Sequence, residues 1–304
     1  MRRARLKPNG IPMFYHLYNR VAGEPEFYPF GATEKEKFIR LLHRVQKFFV
    51  VEVLAYQVMS NHFHLLVYAP EEAPSPAEVV RRYEDYHDGK RTISIDDPLC
   101  VELGQRMRDI SWFMHALQQQ FATWYNHSRS SQRRGALWAQ RFKHTLLGEA
   151  EAVWACWKYI EMNPVRAGLV KDPGDYRFSS YGAWRGKGSH PFADNLQHHM
   201  LPILQGLYPY STLQEVYSSL QHALVKPRDR MTAHGDDLSE SLDMLDHRTK
   251  YWVDGLVIGT TIFVRDIIAR SNGVLEHRDG WSPTRAPDEF GTPSMMIYNA
   301  PRHT

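Results

Sequence analysis

Cysteine is nearly absent: the 304 residues hold only Cys100 and Cys156. So few exclude a disulfide framework and a cysteine-rich zinc site, and the chain reads as a reduced, cytoplasmic protein. There is no uninterrupted apolar run of the roughly eighteen residues that a membrane-spanning helix needs. No Gly-rich loop ending in Gly-Lys-Ser/Thr is present to cradle a nucleotide's phosphates, so ATP-driven chemistry is not indicated. The N-terminal stretch Met1-Arg2-Arg3-Ala4-Arg5-Leu6-Lys7 is basic but leads into no apolar secretory core, and does not read as a signal peptide. No internal repeat at a solenoid period exists. A large excess of one charge sign is missing too. The formal net charge is +3, so overall charge does not by itself mark a nucleic-acid binder.

What is present is enough apolar residue, 43%, to build a sizeable core in one large domain or two smaller ones. The charge is also unevenly placed. Between Gly104 and Gly148, seven bases (Arg106, Arg108, Arg129, Arg133, Arg134, Arg141 and Lys143) stand against one acid, Asp109. They are interleaved with Trp112, Phe121, Trp124, Tyr125 and Trp138, and the N-terminal tail adds Arg2, Arg3, Arg5 and Lys7. Bases alternating with aromatics suit a surface that holds phosphates and stacks unpaired bases. A solvated basic face beside an ordinary aromatic core has the same composition.

The opening pattern is strand, helix, strand, strand. Met13 to Arg20 is rich in aromatics and predicts a strand. Thr33 to Phe49 predicts an amphipathic helix, with Phe38, Leu41, Leu42, Val45 and Phe49 at helical spacing, Thr33 as N-cap and Glu36 completing a capping box. Val50 to Tyr56 and Asn61 to Tyr68 predict two strands joined by a tight hairpin around Met59 and Ser60. Pro70 to Pro98 is rich in Pro, Glu, Asp and Gly and predicts an insertion or mobile loop with a short helix around Ala77 to Tyr86. Ile110 to Asn126 predicts a helix, Ser128 to Gly135 a basic loop, and Leu137 to Leu147 an extended segment. Glu149 to Met162 predicts a further helix, ended by Pro164. Gly186-Lys187-Gly188-Ser189 resembles a linker. Beyond it, Leu201 to Leu224 and Thr261 to Ser271 predict helices. The expected division is a catalytic domain over 1–185, with 70–98 as its insertion, a helical extension over 186–270 and a loosely ordered tail over 271–304.

Two features can carry chemistry. His62 and His64 lie two apart on a strand, so both point to one face and Phe63 to the other. Two imidazoles on one strand face can share a divalent metal, and an open, partly oxygen-ligated site suits Mg²⁺ or Mn²⁺. Two ordinary strand histidines would give the same spacing. The second feature is Trp157-Lys158-Tyr159-Ile160-Glu161-Met162-Asn163-Pro164. Residues four apart share a helix face, so Tyr159 and Asn163 are neighbours. Asn163 can offer an oxygen to a metal, and a phenol becomes a useful nucleophile beside a cation or base that lowers its pKa. A buried helix tyrosine followed by a terminating Asn-Pro would look alike. Tyr125 is the alternative nucleophile. Its partner four residues on is Arg129, which cannot ligate a metal.

Four segments come in a telling order: Tyr15-His16-Leu17-Tyr18-Asn19-Arg20, Met59-Ser60-Asn61-His62-Phe63-His64-Leu65-Leu66-Val67, Gly135-Ala136-Leu137-Trp138-Ala139-Gln140-Arg141-Phe142-Lys143, and Tyr159 through Val170. Over about the first 185 residues the order resembles the REP-associated tyrosine transposases, a bacterial branch of the HUH single-tyrosine transposases. That resemblance implies an α+β fold with a ferredoxin-like antiparallel sheet (the HUH endonuclease fold), here followed by a mainly helical C-terminal extension. It implies a metal-dependent single-strand endonuclease and strand transferase acting on hairpin DNA through a 5′-phosphotyrosine. Its metal ligands map onto His62, His64 and Asn163, and its nucleophile onto Tyr159. Arg2, Arg3, Arg5, Arg133, Arg134, Arg141 and Lys143 are the expected DNA contacts. The partner is single-stranded or hairpin DNA, with no membrane; the chain is a monomer or homodimer, cytoplasmic and nucleoid-associated. A hairpin-binding regulator without cleavage activity is the alternative.

Overall fold

A computed structural model describes residues 6–8, 11–24, 27–128, 135–148, 150–206, 212–233, 252, 255–270, 284–285 and 296–299. The chain begins with β1 (Met13–Arg20), α1 (Ala32–Phe48), β2 (Glu52–Val58) and β3 (His62–Ala69). β1 lies between β3 and β4 (Lys143–Leu147), and β2 lies outside β3, every neighbour antiparallel. The class is mixed α+β.

Both faces of these strands are covered, which is why their sequences run nearly continuously apolar. On one face Leu17, Phe63, Leu65 and Val67 pack on α1 and on α4 (Ile110–His127) through Phe38, Leu42, Phe113, Leu117 and Phe121. On the other, Ala55, Leu66 and Leu147 pack on α5 (Ala150–Glu161). A register shift between Val53 and Ala55 lets β2 place Leu54 and Ala55 in this second cluster. Such a bulge offsets the simple alternation of a strand.

Several expectations change. The cap of α1 is Gly31, not Thr33, and Glu34 reaches back to accept from Gly31 N–H at 2.8 Å. The carboxylate satisfies a free amide at the helix start, so the helix begins one residue before Thr33. Within 70–98 stands α2 (Pro76–Tyr86), and α3 (Pro98–Met107) follows it. Arg82 of α2 donates to the carbonyls of Phe49 at 2.8 Å and Lys47 at 3.1 Å, docking α2 on the end of α1. Val79, Cys100, Leu103 and Met107 then form a small cluster of their own.

Leu137 to Leu147 is strand only from Lys143. Before that, the chain crosses the end of β1, with Ala22 N–H donating to Leu137 O at 2.8 Å and Ala139 N–H to Arg20 O at 3.0 Å. Trp138 turns inward here, its Nε1–H on Gln118 O at 3.1 Å and its ring 5.5 Å from that of Phe63. Pro164 does not end helical structure either: it opens the short α6 (Asn163–Arg166), where its missing N–H costs nothing.

Residues past 185 join the same two cores. α7 (Ser180–Lys187) ends at Gly188, whose φ of +71° is the left-handed cap glycine favours. It leads into α8 (Ala193–Gln205) and α9 (Leu213–Ala233), so the expected helix over Leu201–Leu224 is the end of one and the start of the other. β5 (Gly255–Gly259) runs parallel to β4 and precedes α10 (Thr261–Ala269). Gly148 lies so close to α10 that a Cβ there would come within 2.7 Å of the Phe263 ring. Beyond β5 the sheet continues through β7 (Met296–Asn299) and β6 (Thr284–Arg285).

His190, before α8, is buried, accepts from Phe192 N–H through Nδ1 at 3.3 Å and lies 6.0 Å from the Tyr217 ring. Burial pulls its pKa down to about 4. The unfolded chain therefore binds the proton first as pH falls from about 6.5, and stability is lost down to about 4. Over that window His190→Phe should remove about 3 kcal/mol of the acid loss, at 1.36 kcal/mol per pKa unit. Urea midpoints at pH 7, 5.5 and 4 measure it. Equal pH slopes in both proteins would contradict the burial account.

Candidate metal and tyrosine site

β1 and β3 bring the site together. Tyr18 stands opposite His64, Arg20 opposite His62, and His16 opposite Leu66. Because strand side chains alternate, His16, Tyr18, Arg20, His62 and His64 share one face. Phe63 points to the other, where its ring lies 4.6 Å from that of Phe38. The His62 and His64 rings are 5.1 Å apart and nearly perpendicular, and His16 stacks on His64 at 5.1 Å.

The hydrogen bonds dictate which nitrogens carry protons. The carbonyl of Trp252 can only accept, so His16 Nδ1, 2.7 Å away, is its N–H donor. The same carbonyl accepts from Thr145 Oγ1–H at 3.1 Å. Burial lowers the His16 pKa to about 4, so the ring is neutral at pH 7 and its Nε2 is a lone pair. His16 Nε2 lies 2.9 Å from His64 Nδ1, which must therefore be the donor. His64, pushed well below its ordinary value by burial and then by its histidine neighbours, is neutral as well. Its Nε2 is left as a lone pair. His62 follows the same logic from the other side: Nδ1–H donates to Asn61 Oδ1 at 2.7 Å, and burial, then the cations Arg20, Arg166 and Lys35, lower its pKa to about 3. Each ring thus keeps its proton on Nδ1 and its lone pair on Nε2, the nitrogen through which such a hydrogen-bonded histidine could bind a cation.

α5 lays Tyr159 across this face. Its ring lies 5.6 Å from His16 and 5.6 Å from His64. Trp252 stacks on it at 5.5 Å, and the Arg166 guanidinium sits 4.3 Å from the ring centroid. Tyr159 is only 4% exposed. Asn163 is at the end of α5, where Nδ2 donates to the carbonyls of Tyr159 and Ile160, both at 3.1 Å. Its contacts cap α5, and Oδ1 is the atom it could lend to a cation.

Tyr125 is elsewhere. It is buried in the apolar cluster between α1 and α4, its ring 5.9 Å from that of Phe30, on the far face of the sheet. Lys143 stands opposite Tyr18 in the β1–β4 pairing and, like Arg141, is exposed at the border of the site. Arg2, Arg3, Arg5, Arg133 and Arg134 lie outside the described residues. Arg129 also lies outside the described residues, and the two remaining bases of the stretch, Arg106 and Arg108, are drawn away from the histidines. Arg106 pairs with Glu102 and covers the Trp112 ring at 4.6 Å, and Arg108 donates to Glu71 O. With Lys7 and Asp109 they line a separate cavity of about 300 Å³ against Tyr15, on the opposite sheet face.

Among the described residues no group of three or more His, Cys, Asp or Glu is placed to hold a metal ion. His16 agrees with this, since both of its ring nitrogens are engaged. What could hold a cation here is the pair of Nε2 lone pairs on His62 and His64, of which His64 is buried. Sequence reasoning missed His16, Thr145, Arg166 and Trp252 as parts of the site. His16 had a signal, being two residues before Tyr18 on a predicted strand. Trp252 had none, lying 236 residues from the histidine it contacts.

No protein-family model matches the chain, and no curated protein matches it. Among solved structures, it is similar to one described as "Structure of the REP associates tyrosine transposase bound to a REP hairpin", with 16% identity and a TM-score of 0.41 over 63% of this chain and 90% of that one. A likeness this distant carries no function across. No helix among the described residues is long and apolar enough to cross a membrane.

Trp252 is fully buried and stacked on Tyr159. Trp252→Ala should cost about 3–5 kcal/mol, the range for emptying a buried aromatic site. Trp112, 45% exposed, should cost about 1 kcal/mol or less on the same change. Urea denaturation of both variants measures this, and equal losses would show that the Trp252 ring is not packed at the site.

Proposed function

We propose that this chain is a metal-dependent single-stranded DNA endonuclease and strand transferase, acting on hairpin DNA through a covalent 5′-phosphotyrosine at Tyr159. The observation that carries this is one juxtaposition: Tyr159 lies 5.6 Å from His64, on the sheet face where His62 and His64 keep their Nε2 lone pairs. The order and directions of β2, β3, β1 and β4 support it, since they are those of a ferredoxin-like sheet. So do the four sequence segments that resemble the REP-associated tyrosine transposases.

His62 and His64 would hold Mg²⁺ or Mn²⁺, with Asn163 Oδ1 as a further oxygen ligand. When bound, such a cation supplies polarisation of the scissile phosphate and stabilises charge on its oxygens. Tyr159 Oη attacks phosphorus. The Oη–P bond forms, the bond from phosphorus to the 3′ oxygen breaks, and the phenol proton ends on that oxygen as a free 3′-hydroxyl. The phosphodiester's energy is retained in the Tyr159 ester, so a 3′-hydroxyl can reverse the step and join strands without ATP. The exposed Lys143 and Arg141 would contact DNA phosphates, and Arg2, Arg3, Arg5, Arg133 and Arg134 are further candidates. Phosphate contacts of this kind give affinity without sequence choice.

One observation favours a second function, hairpin binding without cleavage: Tyr159 is 4% exposed beneath Trp252. Incubation with a labelled single-stranded hairpin and Mn²⁺, followed by denaturing electrophoresis, separates the two. A covalent adduct is expected in the wild type and in Tyr125→Phe. It is expected to vanish in Tyr159→Phe and to fall at least about 100-fold in His64→Ala, beyond what loss of a mere supporting group costs. Hairpin binding with no adduct at any metal concentration would establish the regulator instead.

A further inference from the structure

We propose that His16 is a positioning residue that orients His64 for metal binding, and that the backbone carbonyl of Trp252, supplied by the C-terminal segment, completes the arrangement. This rests on the metal site proposed above. With neutral imidazoles, which carry one N–H each, the geometry of the bonds allows one assignment of protons. Trp252 O takes hydrogen bonds from His16 Nδ1–H at 2.7 Å and from Thr145 Oγ1–H at 3.1 Å. A carbonyl oxygen has two lone pairs, and here each has a donor. His16 Nε2 then accepts from His64 Nδ1–H at 2.9 Å.

The consequence falls on the ligating atom. A neutral imidazole has one N–H, and moving it between nitrogens changes which one can bind a metal. With His16 in place, the proton of His64 stays on Nδ1 and the lone pair on Nε2. Without an acceptor at that point, His64 is free to carry its proton on Nε2, which abolishes the ligand. The ring geometry supports the same role, since the two planes are only 13° apart and the His64 ring is contacted by both Tyr18 at 4.9 Å and Tyr159 at 5.6 Å. His16 itself contributes no ligand, because both nitrogens are occupied.

The test uses the full-length protein and two variants. His16→Phe keeps a planar ring but removes the acceptor. His16→Gln restores an acceptor near the position of Nε2. Long-range ¹H–¹⁵N spectra of histidine-labelled, metal-free protein report the tautomer of His64, and Mn²⁺ titration reports affinity. The wild type should show His64 protonated on Nδ1. His16→Phe should shift it toward Nε2–H and weaken Mn²⁺ binding by about 10–100-fold, the usual effect of losing a partner behind a metal-bound histidine. His16→Gln should recover most of the affinity. A folded His16→Phe protein with unchanged tautomer and affinity overturns the inference alone. Absence of Mn²⁺ binding in the wild type overturns the metal site and the inference with it. Should His16→Phe fail to fold, the wild-type spectrum decides: His64 protonated on Nε2 refutes the proposal.

Discussion

The hydrogen bond between the rings of His16 and His64 is the contact on which the rest of the site depends. It links β1 to β3 through side chains, beside the backbone ladder that already joins them. It also continues to Trp252, so a C-terminal residue completes a site whose other parts lie within the first 166 residues. Trp252 acts twice, its carbonyl fixing His16 and its ring covering Tyr159. Thr145 of β4 donates to the same carbonyl, so two strands meet on one oxygen of the C-terminal segment, and β3 joins them through His64 on His16.

The electrostatics follow from the packing. The sheet carries the site on one face and an aromatic core on the other, with Phe63 wedged between Phe38 and Trp138. That anchoring holds the histidines on a rigid element, and rigidity is what precise ligand geometry needs. Burial disfavours the imidazolium form, and Arg20, Arg166 and Lys35 oppose a positive charge on His62. The histidines stay neutral, as metal ligation requires. The same cations suit an approaching phosphate, whose negative charge would offset their mutual repulsion.

Much of this was legible in the sequence. Period-two alternation placed His62 and His64 on one face and Phe63 on the other, and spacing by four put Tyr159 and Asn163 together. The strand–helix–strand–strand opening was readable because β1, α1, β2 and β3 carry strong local patterns. What could not be read depends on distant partners. Nothing local marks Trp252 as a site residue, and nothing but its strand position marks His16. The start of α1 was misplaced because Thr33 and Glu36 match a capping pattern, whereas Glu34 in fact reaches Gly31. α3 went unread because its few buried residues pack only on a small cluster beside α2. Tyr125 could be ranked below Tyr159 from its neighbours, but only the fold places it across the sheet.

The claim that His62 and His64 present Nε2 lone pairs to a shared cation beside Tyr159 has one direct test. Crystals grown with Mn²⁺ would be measured at a wavelength where manganese scatters anomalously. The expected result is a single peak bonded to Nε2 of both histidines at roughly 2.1–2.3 Å, as for a first-row metal on imidazole. A peak bonded through Nδ1, one bound elsewhere with neither histidine, or none at millimolar Mn²⁺ would contradict it.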